Sequence, residues 1–334
     1  MKQQEESIRT VGLDVGTSRI VTACCDGAER GFESQLNAFV RIPHAKMAES
    51  MLHKENVPFQ VQRDTIVIQG NEAQRFADLF HLETNRPMTQ GFLDPSEAES
   101  VPMVKKIIET MVGKRNGSRP RVCFSVPAAP LNATESLTYH EATLRQTFDE
   151  LDYEVRSINE GLAVIYSELE DTNYTGIGIS CGGGLCNVAL AYLSMPALSF
   201  SIPKAGDFID SSAASVTGEL ATRVRIAKEA TFHFNGHFTD KLQQVLTVYY
   251  EDMIHALIAA MKDAFSNAKR MPKLAKPIPM VLSGGTASPQ GFRDRFEKLL
   301  RASDFPIEIS EIRLARDPMT ATANGALVAA LTEM

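Results

Sequence analysis

The sequence contains neither the GxxxxGK[ST] of a P-loop nor the GxGxxG fingerprint of a dinucleotide fold, so two common phosphate-holding devices are excluded. Positive charge is in deficit: 34 Lys and Arg face 41 Asp and Glu, a net charge of -7. Such a surface is not built for phosphate backbones or anionic lipid, and nucleic acid is not an expected partner. The leading MKQQEESIRT is polar, and no apolar run resembles a signal peptide or a bilayer-spanning stretch. The expected location is the cytoplasm, with no direct membrane anchor. Cysteine is sparse: Cys24, Cys25, Cys123, Cys181 and Cys186 make an odd set without CxxC spacing. They read as reduced, buried thiols, with Cys181, beside a glycine run, left open as a reactive one.

What is present suits a soluble globular protein, 44% apolar and 22% charged. At 334 residues the chain is too long for one ordinary core and suits two domains or a bilobed body. Short β-branched runs alternate with amphipathic stretches, which predicts an α/β protein with mixed sheets. TVGLDVGTSRIVTACCDG reads as two strands around a Gly-Thr-Ser tip, and TGIGISCGGGLCNVALAYL repeats the pattern around Gly182-Gly183-Gly184. The strand RVCFSV ends at Pro127, and a helix follows with Leu137, Leu144, Phe148 and Leu151 on one face. FHFNGHF predicts a hairpin turning at Asn235-Gly236. After it comes a long helix from about 240 to 268 with Thr239 as N-cap. KPIPMVLSGGTASPQGFRDRFEKLL reads as strand, Gly-Gly-Thr loop and helix, and TANGALVAALTEM as a closing helix. No low-complexity linker separates these units, so two halves packed directly about a hinge are expected.

A glycine turn between strands presents consecutive backbone N–H groups with no Cβ in the way, a concave donor surface suited to phosphate oxygens. One such loop is weak evidence. Two of them, at Asp14–Ser18 and Gly182–Gly184, with a Gly284-Gly285-Thr286 loop for a nucleoside, form a much narrower signal. A structural glycine bend is the competing reading of each.

In order along the chain, GLDVGTS, NEGLAVIY, GISCGGGLCNVAL, VLSGGTASPQGF and DPMTATANGALVAA resemble the phosphate-1, connect-1, phosphate-2, adenosine and connect-2 segments of the actin and DnaK-type ATPase superfamily. Within it the chain is most similar to bacterial actins of the MamK and MreB types, with KAGDFID and RIAKEATFHF nearest the former. The resemblance implies two RNase-H-like mixed-sheet lobes around a nucleotide cleft that takes ATP or ADP with Mg2+. Lobe I would be 1–158 with an outer subdomain at about 32–86, lobe II 159–315 with one at about 204–276, and 316–334 a closing helix returning to lobe I. It also implies head-to-tail self-assembly into filaments, and cytoplasmic adaptor or organelle proteins as further partners.

The same resemblance assigns residues. Asp14 would hold Mg2+ through water, since that ion keeps most of its hydration shell; the alternative is an aspartate capping its own turn. Gly16, Thr17 and Ser18 would donate to β- and γ-phosphate, while Arg19 reaches phosphate or solvent. Glu160 falls where the family positions the attacking water, and a solvated helix-start glutamate is the alternative. Gly161 replaces the usual proline there and is expected to loosen the turn. Lys228 and Glu229 align with a pair that meets ribose or adenine, or form a surface ion pair. Gly284, Gly285 and Thr286 would line the adenosine face, with Gly325 in the closing hinge. His233 and His237 flank a turn, so no metal is expected there.

One acid is missing. The second phosphate motif usually opens with an aspartate, and here that position is Ser180; the customary threonine is Leu185, and the acid near Asn187 is gone. At an effective dielectric near 20 and roughly 5 Å, a carboxylate is worth several kcal/mol to a dication before desolvation. Its loss is expected to weaken Mg2+ retention and slow hydrolysis more than it weakens nucleotide binding. Ser180 keeps a hydroxyl for a metal-bound water. Three readings follow: a filament-forming ATPase of slow turnover, a weakly hydrolysing or non-hydrolysing nucleotide switch or chaperone-like scaffold, and, last, a small-molecule kinase.

Overall fold

The computed structural model of the chain describes residues 9–26, 29–96, 99–113, 119–130, 135–234, 236–268 and 271–332. The first half runs β1 (Thr10–Val15), β2 (Arg19–Asp26), β3 (Glu29–Leu36), β4 (Phe39–Pro43), α1 (Lys46–Lys54), β5 (Phe59–Gln62), β6 (Thr65–Gln69) and α2 (Asn71–Phe80). It continues through β7 (Met88–Thr89), β8 (Phe92–Leu93), α3 (Ser100–Val112), β9 (Arg121–Val126), α4 (Glu135–Glu150) and β10 (Glu154–Asn159). The second half runs α5 (Glu160–Glu168), β11 (Gly176–Cys181), β12 (Cys186–Tyr192), β13 (Met195–Ile202), α6 (Gly206–Thr217), α7 (Ala221–Thr231) and α8 (Lys241–Asn267). It closes with β14 (Ile278–Ser283), α9 (Phe292–Arg301), β15 (Ile309–Leu314) and α10 (Ala321–Thr332).

Two five-stranded sheets repeat one plan. The first has the order β10-β9-β1-β2-β3 and the second β13-β12-β11-β14-β15. In each, an antiparallel meander that begins with a glycine-tipped hairpin is flanked by two parallel strands. A smaller antiparallel sheet, β4-β6-β5, stands beside the first with its own core around Ile66 and Ile68.

Burial follows the hydrophobic pattern. In α8, Leu246, Tyr250, Met253, Leu257 and Met261 recur every three or four residues and are all buried against the second sheet's core. The first sheet buries Leu13 and Phe124 with Phe148 of α4. The chain crosses between the sheets twice. Helix α5 leaves β10 of the first sheet and lies on β11 and β12 of the second, while α10, following β15, lies on β1 and against α5. Their contact is made of small side chains, among them Ala163, Ala326 and Ala330.

The predicted hairpin at FHFNGHF is not formed among the described residues; Asn235 lies outside them. Phe232, Phe234 and Phe238 gather into one cluster, with Phe232 stacked on Tyr250 at 4.7 Å. The long helix is capped by Asp240 rather than Thr239, its carboxylate accepting from the Gln243 backbone N–H at 3.0 Å. All five cysteines are free thiols, with Cys24 and Cys25 half-buried and the other three buried. Among the described residues no helix is long and apolar enough to cross a membrane.

Candidate functional site

A cavity of about 500 Å³ lies where the two glycine-tipped hairpins meet, lined by Asp14, Gly16, Thr17, Ser18, Arg19, Glu160, Ser180, Gly182, Gly183, Gly184, Lys228, Glu229, Gly284, Gly285 and Thr286, whereas Gly161, Cys181 and Gly325 do not line it. The β1–β2 tip is closed by Gly16 N–H donating to the Arg19 carbonyl at 2.9 Å. Thr17 Oγ1 accepts from the Gly91 backbone N–H at 3.0 Å, which ties this tip to the β7–β8 turn. The β11–β12 tip comes close enough that side chains there would collide: a Cβ on Gly184 would stand 2.4 Å from the Gly91 nitrogen and 2.5 Å from Thr17 Oγ1. Three consecutive glycines are the local answer to that approach. Two carbonyls of this tip, which would repel an anion, are occupied. Gly182 O accepts from Thr286 Oγ1 at 2.7 Å and from Gly206 N at 3.1 Å, and Gly183 O from Asp207 N at 2.8 Å. Thr286 thus holds the tip through its hydroxyl, and the Gly284–Gly285 backbone forms the cavity wall beside it.

Two carboxylates stand between the tips. Asp14 Oδ1 accepts from Ser125 Oγ at 2.7 Å, and burial pushes the acid up to about 6 despite that bond. Glu160 opens α5 and is buried; burial first, then the charge of Asp14, pushes it up to about 8. Its Oε2 accepts from Ser180 Oγ at 3.1 Å and from Asn187 Nδ2 at 2.9 Å. Asn187 is itself fixed, its Oδ1 accepting from the Ala128 N–H at 2.8 Å. The Ser180 hydroxyl, expected to serve a metal-bound water, is therefore given to Glu160. An aspartate at 180 would place a third buried acid beside these two, and the neutral Ser180–Asn187 pair supplies hydrogen bonds instead. Nor is the helix start loose: Asn159 caps α5, its Oδ1 accepting from Leu162 N–H at 3.2 Å.

Lys228 and Glu229 line the cavity without pairing to each other. Lys228 is buried, lies 2.7 Å from Asp210 and donates to Gly206 O at 3.3 Å. Glu229 faces Arg19 at 3.8 Å across the cleft. Two more contacts join the halves at the mouth: Arg86 Nη1 donates to Asp207 Oδ1 at 2.5 Å, and Arg225 Nη2 to Gln74 Oε1 at 3.2 Å. Burial raises Asp210 against the opposing charge of Lys228, and burial, with Arg86 nearby, lowers Arg225.

Several participants escaped the sequence reading. Ser125 and the bonding role of Asn187 were available from alternation, because Ser180 and Asn187 are cross-strand partners on one face. Asp207 and Asp210 lie in the KAGDFID segment without an assigned role, and Arg86 carried no local signal. The arrangement offers glycine N–H donors, buried acids able to position water, and an apolar end formed by Phe232, Tyr250 and Met319.

Solved structures share this architecture. MamK in a double helical filament superposes with a TM-score of 0.73 at 16% identity, covering 96% of this chain and 97% of that one. MreB 5 of Spiroplasma citri bound to AMPPNP gives 0.71 at 13% identity, covering 98% and 97%. The ethanolamine utilization protein EutJ of Carboxydothermus hydrogenoformans gives 0.57 at 14%, covering 98% and 91%. At such identities the likeness carries the fold, and the expected actin-like bilobed architecture is met. No curated protein matches the chain in sequence. The Volactin family model matches residues 10–330.

Proposed function

Because the chain belongs to the Volactin family, with an actin-like fold, we propose that it binds ATP and ADP in the central cleft and assembles head to tail into filaments. The observation that carries this reading is the meeting of two glycine hairpin tips, with the Gly182 and Gly183 carbonyls occupied, over one cavity with two buried carboxylates. Similar folds are described as a filament for MamK and as AMPPNP and ADP complexes for MreB5. On this reading lobe I is 1–158 and lobe II 159–315, with outer subdomains at about 32–86 and 204–276 and the last helix returning to lobe I.

The acids fit a hydrated Mg2+. Burial pushes both Asp14 and Glu160 toward their neutral forms, and a dication would favour the charged form of each. Asp14 would hold the ion through water, and Mg2+ would neutralise charge on the phosphates. Gly16, Thr17, Ser18 and Gly182–Gly184 would cradle the phosphates, while Lys228, Glu229 and Gly284–Thr286 border the nucleoside. Glu160, held by Ser180 and Asn187, would orient the water for in-line attack, giving Mg-dependent and slow hydrolysis. A second reading, a switch that binds but scarcely hydrolyses, is favoured by one observation: Ser180 is bound to Glu160 and supplies no charge. Filaments in the cytoplasm with adaptor or organelle partners complete the proposal.

High-speed pelleting and negative-stain microscopy in Mg-ATP, Mg-ADP and no nucleotide, with phosphate release followed in parallel, tests it. Nucleotide-dependent filaments with slow phosphate release are expected. Filaments without phosphate release would select the switch, and soluble protein under every condition would remove the filament reading.

A further inference from the structure

Cys181 and Cys186 close the base of the second glycine tip and take no part in the site described above. They are direct cross-strand partners on β11 and β12. The next pair outward is hydrogen-bonded, Gly182 N–H donating to Leu185 O at 2.9 Å, so the alternation of an antiparallel ladder makes Cys181 and Cys186 a non-hydrogen-bonded pair. Such partners have Cα atoms about 4.5 Å apart and side chains on one face, within the roughly 4.4–6.8 Å that a disulfide spans. Both are free thiols and fully buried, on the opposite face of the hairpin from Ser180 and Asn187. Cys186 Sγ donates to the Lys204 carbonyl at 3.3 Å, two residues before the Gly206 N–H that holds Gly182 O. A hydrogen bond with the Cys181 thiol, then burial, pushes the Cys186 thiol well above its usual range. The closed pair is therefore inert, and any reactivity belongs to the opened tip. That opening has a defined route. The tip is held to α6 by the Gly206 and Asp207 N–H groups, and Asp207 is tied in turn to Arg86 of the other half, so parting the halves frees the strands that cover the pair.

We propose that Cys181 and Cys186 are a site of reversible oxidation, joined as an intramolecular disulfide by a peroxide when the second tip opens. The Cys181 thiolate attacks the peroxide, the O–O bond breaks, and a sulfenic acid forms with release of hydroxide, which takes up the proton Cys181 gave. The Cys186 thiol then attacks the sulfenic sulfur, and its proton leaves with the sulfenic oxygen as water. Two thiols and one hydrogen peroxide thus give one disulfide and two waters, with two electrons passing from sulfur to the peroxide. The disulfide draws Cys186 away from the Lys204 carbonyl and so disturbs the start of α6, whose N–H groups hold the tip. Nucleotide binding weakens as a result, a consequence that rests on the nucleotide-binding reading above, whereas the oxidation itself does not. By linkage, bound nucleotide opposes formation of the disulfide to the same extent.

The test treats the full chain, carrying Cys24→Ser and Cys25→Ser, with hydrogen peroxide in the presence and absence of Mg-ADP. Linked peptides are mapped by mass spectrometry, and ADP affinity is measured before oxidation, after it, and after dithiothreitol, with thermal melts to establish that each variant is folded. Expected are a Cys181–Cys186 link that dithiothreitol reverses, slower linking with Mg-ADP, and an ADP affinity lowered about 5- to 50-fold by the link and restored on reduction. Arg86→Asp, which repels Asp207, should link about fivefold faster without any nucleotide, and Cys181→Ser should lose the affinity response to peroxide. Absence of the link in folded protein overturns the site. Linking at one rate in the native chain and in Arg86→Asp overturns its gating by the tip, and a link that leaves ADP affinity unchanged overturns its control of binding. Reduced protein that binds no ADP instead overturns the nucleotide-binding reading, a separate failure, because the link and its acceleration by Arg86→Asp are read without nucleotide.

Discussion

Glu160 shares a buried pocket with Asp14, and that neighbourhood gives the residue two separable effects. A carboxyl whose folded value lies near 8, against an ordinary 4.5, contributes stability that is complete below about 4.5 and is lost as pH rises toward 8. The ligand-free protein should therefore melt at progressively lower temperature between pH 6 and 9. Glu160→Gln keeps an oxygen for Ser180 and Asn187 while removing the charge, so its melting temperature should be nearly flat over that range. Phosphate release should fall by about 100-fold or more if Glu160 handles the attacking water. Calorimetry across pH and a phosphate assay check the two halves independently. A flat native profile would mean that Glu160 does not ionise in this window. The missing acid at Ser180 follows the same logic, since two donors hold Glu160 in place with no third charge to repel.

At the scale of elements, the crossing of α5 and α10 is the joint through which both halves connect. Gly325 of α10 lies over Ala163 of α5 so closely that a Cβ would stand 1.7 Å from the Ala163 carbonyl oxygen. Backbone cannot yield as a side-chain tip does, so Gly325→Ala should cost about 3 kcal/mol or more, read by urea unfolding. An unchanged midpoint would show that the helices part without penalty. The sequence reading reached the hairpins because alternation and glycine are local signals, and GLDVGTS and GISCGGGLCNVAL carry both. It placed Gly325 in a hinge but not against Ala163, since the two meet only after both sheets have formed. The turn expected at Asn235-Gly236 lies partly outside the described residues, while the stacking of Phe232 on Tyr250 is a long-range contact that the local pattern did not signal. Tyr250 itself was illegible, because at four residues from Leu246 and three from Met253 it has the spacing of an ordinary core position.

The whole molecule is tied across the cleft mouth by Arg86–Asp207, Arg19–Glu229 and Arg225–Gln74. The first is the shortest, at 2.5 Å, and its acid belongs to the residue whose N–H holds the Gly183 carbonyl. Opening this pair would therefore loosen the second tip as well as part the halves. Half-exposed pairs of this kind are worth up to about 1 kcal/mol, or roughly fivefold in a rate. Arg86→Asp and Asp207→Arg each replace attraction by repulsion, so each should speed release of a fluorescent ADP analogue by about 5- to 10-fold at low salt. The double swap restores opposite charges and should recover most of the native rate, a coupling that a merely local packing defect would not produce. Stopped-flow release at two ionic strengths separates these outcomes. If both single variants release nucleotide at the native rate, the Arg86–Asp207 pair only accompanies closure, and its control lies with the α5–α10 joint or with the two other contacts at the mouth.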